Sequence, residues 1–138
     1  MVLHVCLAGT AITRDWPFIR RLKARCCVSL VRQLTHLPHT RILDSADAIV
    51  VDCCGASDTW LDVLCEIRAR VPGAPVILID GGMTQEEIAC GLGSGAIDYF
   101  AEPYAADLLL QRVEVLAQQS HNARTSGGSS TPRTRSNS

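Results

Sequence analysis

Short, solidly apolar runs alternate along this chain with segments whose apolar positions recur every three or four residues. Val2 to Ala8, Cys27 to Leu34, Asp47 to Asp52, Ala74 to Asp80 and Ile97 to Ala101 read as strands. They are continuous rather than alternating, as expected of strands buried on both faces of a parallel sheet. The intervening segments predict helices. Asp15-Trp16-Pro17 supplies a capping acid and a first-turn proline. Phe18, Ile19 and Leu22 then form an apolar stripe, with Arg20, Arg21, Lys23 and Arg25 on the wet side. Pro38 to Ala46 predicts a short second helix. Thr59 can cap a third, with Leu61, Leu64, Ile67 and Val71 at helical spacing, Glu66 and Arg70 as an i,i+4 pair, and Pro72-Gly73 as its stop. Thr84 and Glu87 form a capping box for a fourth, which Gly91, Gly93 and Gly95 weaken at its far end. Ala105 to Gln119 completes the set with Leu108, Leu109, Val113 and Leu116 on its core face.

Strands alternating with helices predict a doubly wound α/β fold: a five-stranded parallel sheet in the order 2-1-3-4-5, covered on both faces. The expected domain is residues 1–119. From 120 to 138 the chain is mostly Ser, Gly, Thr, Arg and Asn, too polar to bury a core, and reads as a disordered tail or a truncated linker. Apolar residues make up 47% of the 138, and no apolar stretch approaches the ~20 residues needed to span a bilayer. The first residues lack a basic region and long apolar core of a secretory signal, so a cytoplasmic protein is expected.

Charge is unevenly spread. Through Arg41 there are seven basic side chains and one acid, and from Ile42 to Ser120 three basic and thirteen acidic. Such halves suit head-to-tail self-association or an oppositely charged partner, though a solvated surface is the simpler reading. The seven cysteines show neither a CxxC pair nor His/Cys metal spacing, so neither a metal nor disulfides are expected and the thiols read as small buried hydrophobes. Trp16 and Trp60 read as packing anchors at helix starts.

Three strands end in acids, Asp52, Asp80 and Glu102. In open α/β sheets this carboxyl edge is where ligands bind. Sharing one rim, the three carboxylates would titrate together and form a cation site or a pH-responsive pocket. The preferred alternative has Asp52 and Asp80 accepting loop amides while Glu102 faces water.

Asp47-Ala48-Ile49-Val50-Val51-Asp52, Ala74-Pro75-Val76-Ile77-Leu78-Ile79 and Gly93-Ser94-Gly95-Ala96-Ile97-Asp98-Tyr99-Phe100-Ala101-Glu102-Pro103 carry a family likeness. Over residues 2–119 the chain resembles a receiver domain of two-component response regulators, in an atypical or pseudo-receiver form. The resemblance implies a phospho-acceptor at Asp52, an aromatic switch at Tyr99, and at Pro103 a proline whose preceding peptide is often cis. It also implies magnesium and a Thr or Ser beside the acceptor. Here the chain departs. The acidic pair of the first strand should fall around Cys6, Leu7 and Ala8, Asp80 replaces the hydroxyl residue, and Glu102 replaces a lysine.

Phosphoryl transfer to a carboxylate needs cations to offset the charge that gathers there. Two unit charges ~4 Å apart repel by about 4 kcal/mol at an effective dielectric near 20. A pocket that loses its cations and gains acids is therefore expected not to phosphorylate Asp52. The expected function is a phosphorylation-independent signalling module that regulates an output domain or transcription. It would bind protein partners, or a second copy of itself, through the fourth helix, fifth strand and last helix around Tyr99, Pro103 and Tyr104. No enzyme activity, cofactor, membrane contact or direct nucleic-acid contact is expected. The alternative is a flavodoxin-like module binding a small ligand at Gly9-Thr10-Ala11-Ile12-Thr13, or responding to redox through its thiols.

Overall fold

The computed structural model describes residues 2–55 and 59–129, with side chains through Thr125. Five strands form one parallel sheet: β1 (Leu3–Ala8), β2 (Cys26–Val31), β3 (Ala48–Asp52), β4 (Val76–Asp80) and β5 (Asp98–Ala101). Their order is β2-β1-β3-β4-β5, as the alternation of elements predicts. β1 and β3, adjacent at the sheet centre, lie side by side with Val5 opposite Ala48 and Ala8 opposite Val51. Every residue of β3 and β4 is buried, which explains their unbroken apolar composition.

Helices α1 (Trp16–Lys23) and α4 (Ala106–Ser129) cover one face, and α2 (Thr59–Arg70) and α3 (Gln85–Gly93) the other. Two caps form as the sequence predicts. Asp15 accepts the Phe18 N–H at 3.2 Å, and Thr84 and Glu87 make the reciprocal capping box. Gly91 has a packing role: a Cβ there would sit 2.7 Å from Leu78 Cδ1 and 3.1 Å from the Trp60 ring. Its absence lets α3 lie close on the sheet.

Several expectations change. The short helix over Pro38–Ala46 is replaced by two 3-10 turns, Leu34–His39 and Arg41–Ser45. Pro38 falls inside the first, and Thr40 is extended between them with its hydroxyl accepting the Ile42 N–H at 3.3 Å. A proline and an extended residue leave no room for a continuous i→i+4 ladder. Arg70 does not pair with Glu66. It reaches the Pro38 carbonyl at 2.7 Å and both oxygens of Asp44 at 3.2 Å, tying α2 to the turns. Trp60 is buried, whereas Trp16 is 46% exposed.

The last helix does not stop at Gln119. It runs to Ser129, so the segment read as a disordered tail is helical over 120–129, and 130–138 lies outside the described residues. The charge asymmetry is partly satisfied internally. Arg21 pairs with Asp107 and Arg25 with Glu114 at 3.3 Å, joining the basic α1 to the acidic α4.

Candidate functional site

The carboxyl ends of β1, β3, β4 and β5 form the rim where the strand-terminal acids lie. Asp52 is 1% exposed, and three backbone amides hold its carboxylate. Its Oδ2 accepts the N–H of Ala11 at 2.9 Å and of Ile12 at 2.8 Å, and its Oδ1 accepts the N–H of Cys54 at 2.9 Å. The first two donors belong to the loop after β1. That loop reaches Asp52 because residue 9 is glycine: φ is +120°, and a Cβ would lie 2.5 Å from the Asp52 Cβ. The Thr13 hydroxyl donates to the Gly9 carbonyl at 2.6 Å and closes the loop. The backbone thus forms an anion-binding nest, and its occupant is the protein's own carboxylate.

Asp80 is treated the same way. It is buried, and its Oδ1 accepts the N–H of Gly82 at 2.8 Å and that of Met83. Glu102 is exposed, and its backbone N–H donates to the Asp80 carbonyl at 2.7 Å. Partial burial, then the charges of Asp52 and Asp15, push the Glu102 carboxyl above its usual range. Asp15 thus joins the strand-terminal acids at this rim, where Cys54 feels the charges of Asp52, Glu102 and Asp80. The loop-amide reading of Asp52 and Asp80 is the one realised.

Asp15 was not foreseen as part of this rim. While its Oδ1 caps α1, its Oδ2 accepts the Tyr104 hydroxyl. The Tyr104 ring stands edge-on to Phe18, with centroids 5.8 Å apart. Burial first, and the bond to Asp15 next, raise the Tyr104 phenol above its usual range. Tyr104 is thus half-buried and its hydroxyl is turned towards α1. Only the capping pattern pointed to Asp15, and nothing local linked it to Tyr104, 89 positions away. Tyr99 is 40% exposed, and the Glu102–Pro103 peptide is cis.

Cys6 and Leu7 do not line the rim. Both are wholly buried inside β1, in the cores on opposite faces of the sheet, and Ala8 is buried beside them. Gly9 lies against Asp52 instead, because β1 runs to Ala8 before the chain turns. Burial pushes the thiols of Cys6 and Cys53 up to about 12. Burial, then its hydrogen bond to Asp52, does the same for Cys54. A thiol sensor needs the opposite shift.

The magnesium that the resemblance implies does not fit these residues. The end of β1 offers Ala8, Gly9 and Thr10, none of them an acid, and the Asp52 oxygens are already engaged by three amides. Among the described residues no group of three or more His, Cys, Asp or Glu is placed to hold a metal ion. No helix among them is long and apolar enough to cross a membrane.

The α3–β5–α4 side has a different character. Five of the seven large apolar residues exposed among the described ones lie on or beside it: Leu92, Ile97, Tyr99, Leu108 and Val115. Leu108, Val115 and Phe100, with Gln111 and Arg112, line a shallow cavity of about 390 Å³.

No protein-family model matches the chain. It is 30% identical over 73 residues to a probable transcriptional regulatory protein, TcrX, of Mycobacterium tuberculosis, a match covering 53% of this chain and 31% of that protein. It is 29% identical over 76 residues to the response regulator MprA of Mycobacterium leprae, covering 55% of this chain and 33% of that one. The matched span is thus about a third of the length of these curated relatives. In three dimensions it superposes on the receiver domain of Francisella response regulator 1452 with a TM-score of 0.72 at 20% identity, over 85% of this chain and 98% of that one. Strand order and these matches agree: the chain has the receiver fold, and over about half of its length it is similar to curated response regulators.

Proposed function

We propose that this receiver signals without phosphoryl transfer, as a binding module that presents its α3–β5–α4 face to a protein partner. The observation that carries this reading is the state of Asp52. An acceptor must offer a carboxylate oxygen to an incoming phosphorus whose charge is offset by cations. Asp52 instead directs its oxygens into backbone amides, as the short contacts to Ala11, Ile12 and Cys54 indicate. Glu102, at the position of the family's lysine, adds repulsion where attraction is needed. Accepting a phosphoryl group would mean giving up charge-assisted bonds to three amides.

The exposed apolar residues on the α3–β5–α4 side give this face the composition of an interface core. Arg112 and Asp98 pair across it at 3.0 Å and tie α4 to β5. A second copy of the chain is one occupant, and the output portion of a longer regulator is another. No catalysis is assigned to the module.

Two measurements test the proposal. Incubation with acetyl phosphate and magnesium should leave the intact mass unchanged, and stoichiometric acyl-phosphate on Asp52 would refute phosphorylation independence. Sedimentation velocity should show self-association that Leu108→Glu abolishes and Asp52→Ala does not. If no concentration yields a dimer, the second copy is excluded and the face is left to a different protein.

A further inference from the structure

The apolar stripe of α4 ends at Leu116 and Ala117, yet the helix continues along the same line with Ser120, His121 and Arg124. These three follow one another on the core-facing side. What His121 and Arg124 meet is Asp47, which precedes β3 at the amino edge of the sheet, on the opposite side of the domain from Asp52. Asp47 is 0% exposed. Its Oδ1 accepts from Arg124 and lies 3.3 Å from His121 Nδ1, while its Oδ2 accepts the His4 N–H at 2.8 Å. The Asp47 N–H in turn donates to the His4 carbonyl at 2.7 Å.

We infer that Asp47 is a latch for the C-terminal turns of α4, and that residues 120–129 dock on it and leave it as one unit. Three observations support this. From Ser120 to Thr125 the polar contacts with the rest of the domain converge on Asp47. Ser120 is buried, but its hydroxyl has no partner, and the side-chain bonds of Asn122 and Thr125 stay within the helix. Little apolar burial therefore holds this stretch, and its opening is governed by the ion cluster. The latch site is also pre-formed. The reciprocal bonds to His4 belong to the sheet edge, so Asp47 keeps its Oδ2 bond and its orientation when the helix leaves, and water can reach Oδ1. Finally, Arg124 is 43% exposed in its side chain, so release costs less than the separation of a fully buried pair. The latch fixes the direction in which α4 carries the chain away from the domain, independently of the chemistry at Asp52.

Hydrogen–deuterium exchange of the 138-residue chain, read by mass spectrometry, tests this. Arg124→Gln should accelerate exchange over 120–129 about tenfold or more, while peptides from 106–117 and from β1 and β3 keep wild-type protection. Adding Asp47→Asn to Arg124→Gln should give little further acceleration, because the two act through one interaction. If the Asp47 variant does not fold, His121→Ala takes its place and should give a smaller acceleration confined to the same segment. Unchanged exchange over 120–129 in Arg124→Gln would overturn the inference. So would acceleration spread through the whole domain, or wild-type amides at 120–129 without protection.

Discussion

The backbone N–H of Ile12 points at Oδ2 of Asp52 across 2.8 Å, bringing the loop after β1 onto the end of β3. On the phosphorylation-independent reading proposed above, these amides take the place of cations and an incoming phosphoryl group. Here the carboxylate satisfies the loop, and the loop satisfies the carboxylate. The pocket has become a structural joint between the two central strands.

A joint should show itself in stability. Asp52→Asn keeps the shape but removes the charge and leaves a single acceptor oxygen for three amides. We expect a loss of about 2 kcal/mol, typical of charged hydrogen-bond partners lost in a buried site. Urea denaturation with an unchanged slope checks it, and a variant as stable as wild type would mean that the amides carry no energetic load.

Gly9→Ala should be worse. The added Cβ meets the Asp52 backbone and Cβ, and the φ of +120° is strained for any L-residue. Neither neighbour is the end of a flexible chain, so the clash cannot be relieved by a rotamer change. We expect roughly 2–4 kcal/mol of destabilisation from strain and overpacking together, measured by thermal or chemical melting.

Glu102 gives a pH signature. Its carboxyl is raised by partial burial and by Asp52 and Asp15. A group whose proton affinity increases on folding favours the fold below its ordinary pKa and loses that contribution as pH rises through the raised value. Glu102→Gln should therefore match wild type near pH 4 and become more stable towards pH 7, by about 0.5 kcal/mol at this exposed, screened position. A variant that is less stable at neutral pH would show that Glu102 has an attractive partner.

The thiols should divide by burial. Cys27, Cys65 and Cys90 are exposed, whereas Cys6 and Cys53 are buried with thiols pushed from 9.0 to about 12. That shift leaves about a thousandfold less thiolate at any neutral pH. Brief alkylation of the native protein should label the exposed three and spare Cys6 and Cys53, and rapid modification of Cys53 would reopen a redox role.

Much of the fold could be read from the chain alone. Unbroken apolar runs marked strands sealed on both faces, and their alternation with amphipathic segments fixed a parallel doubly wound sheet and its order. Capping residues act within one helical turn, so Asp15, Thr84 and Glu87 were legible as well. Periodicity failed where the stabilising partner is distant. The turns at Leu34–His39 and Arg41–Ser45 are braced by Arg70, and the helix beyond Gln119 was missed because His121 and Arg124 answer a buried carboxylate rather than hydrophobic surface.

The amino acids themselves determined that Asp52, Asp80 and Glu102 would end three strands, and that no acid would stand at the end of β1 or lysine at 102 to assist a phosphoryl group. Only tertiary structure decided what those acids touch. Asp52 is 40 residues from Ile12, Asp15 is 89 from Tyr104 and Asp47 is 77 from Arg124. A local pattern reports the side of an element that faces inward, whereas the identity of the group waiting there depends on how distant segments converge when the sheet closes.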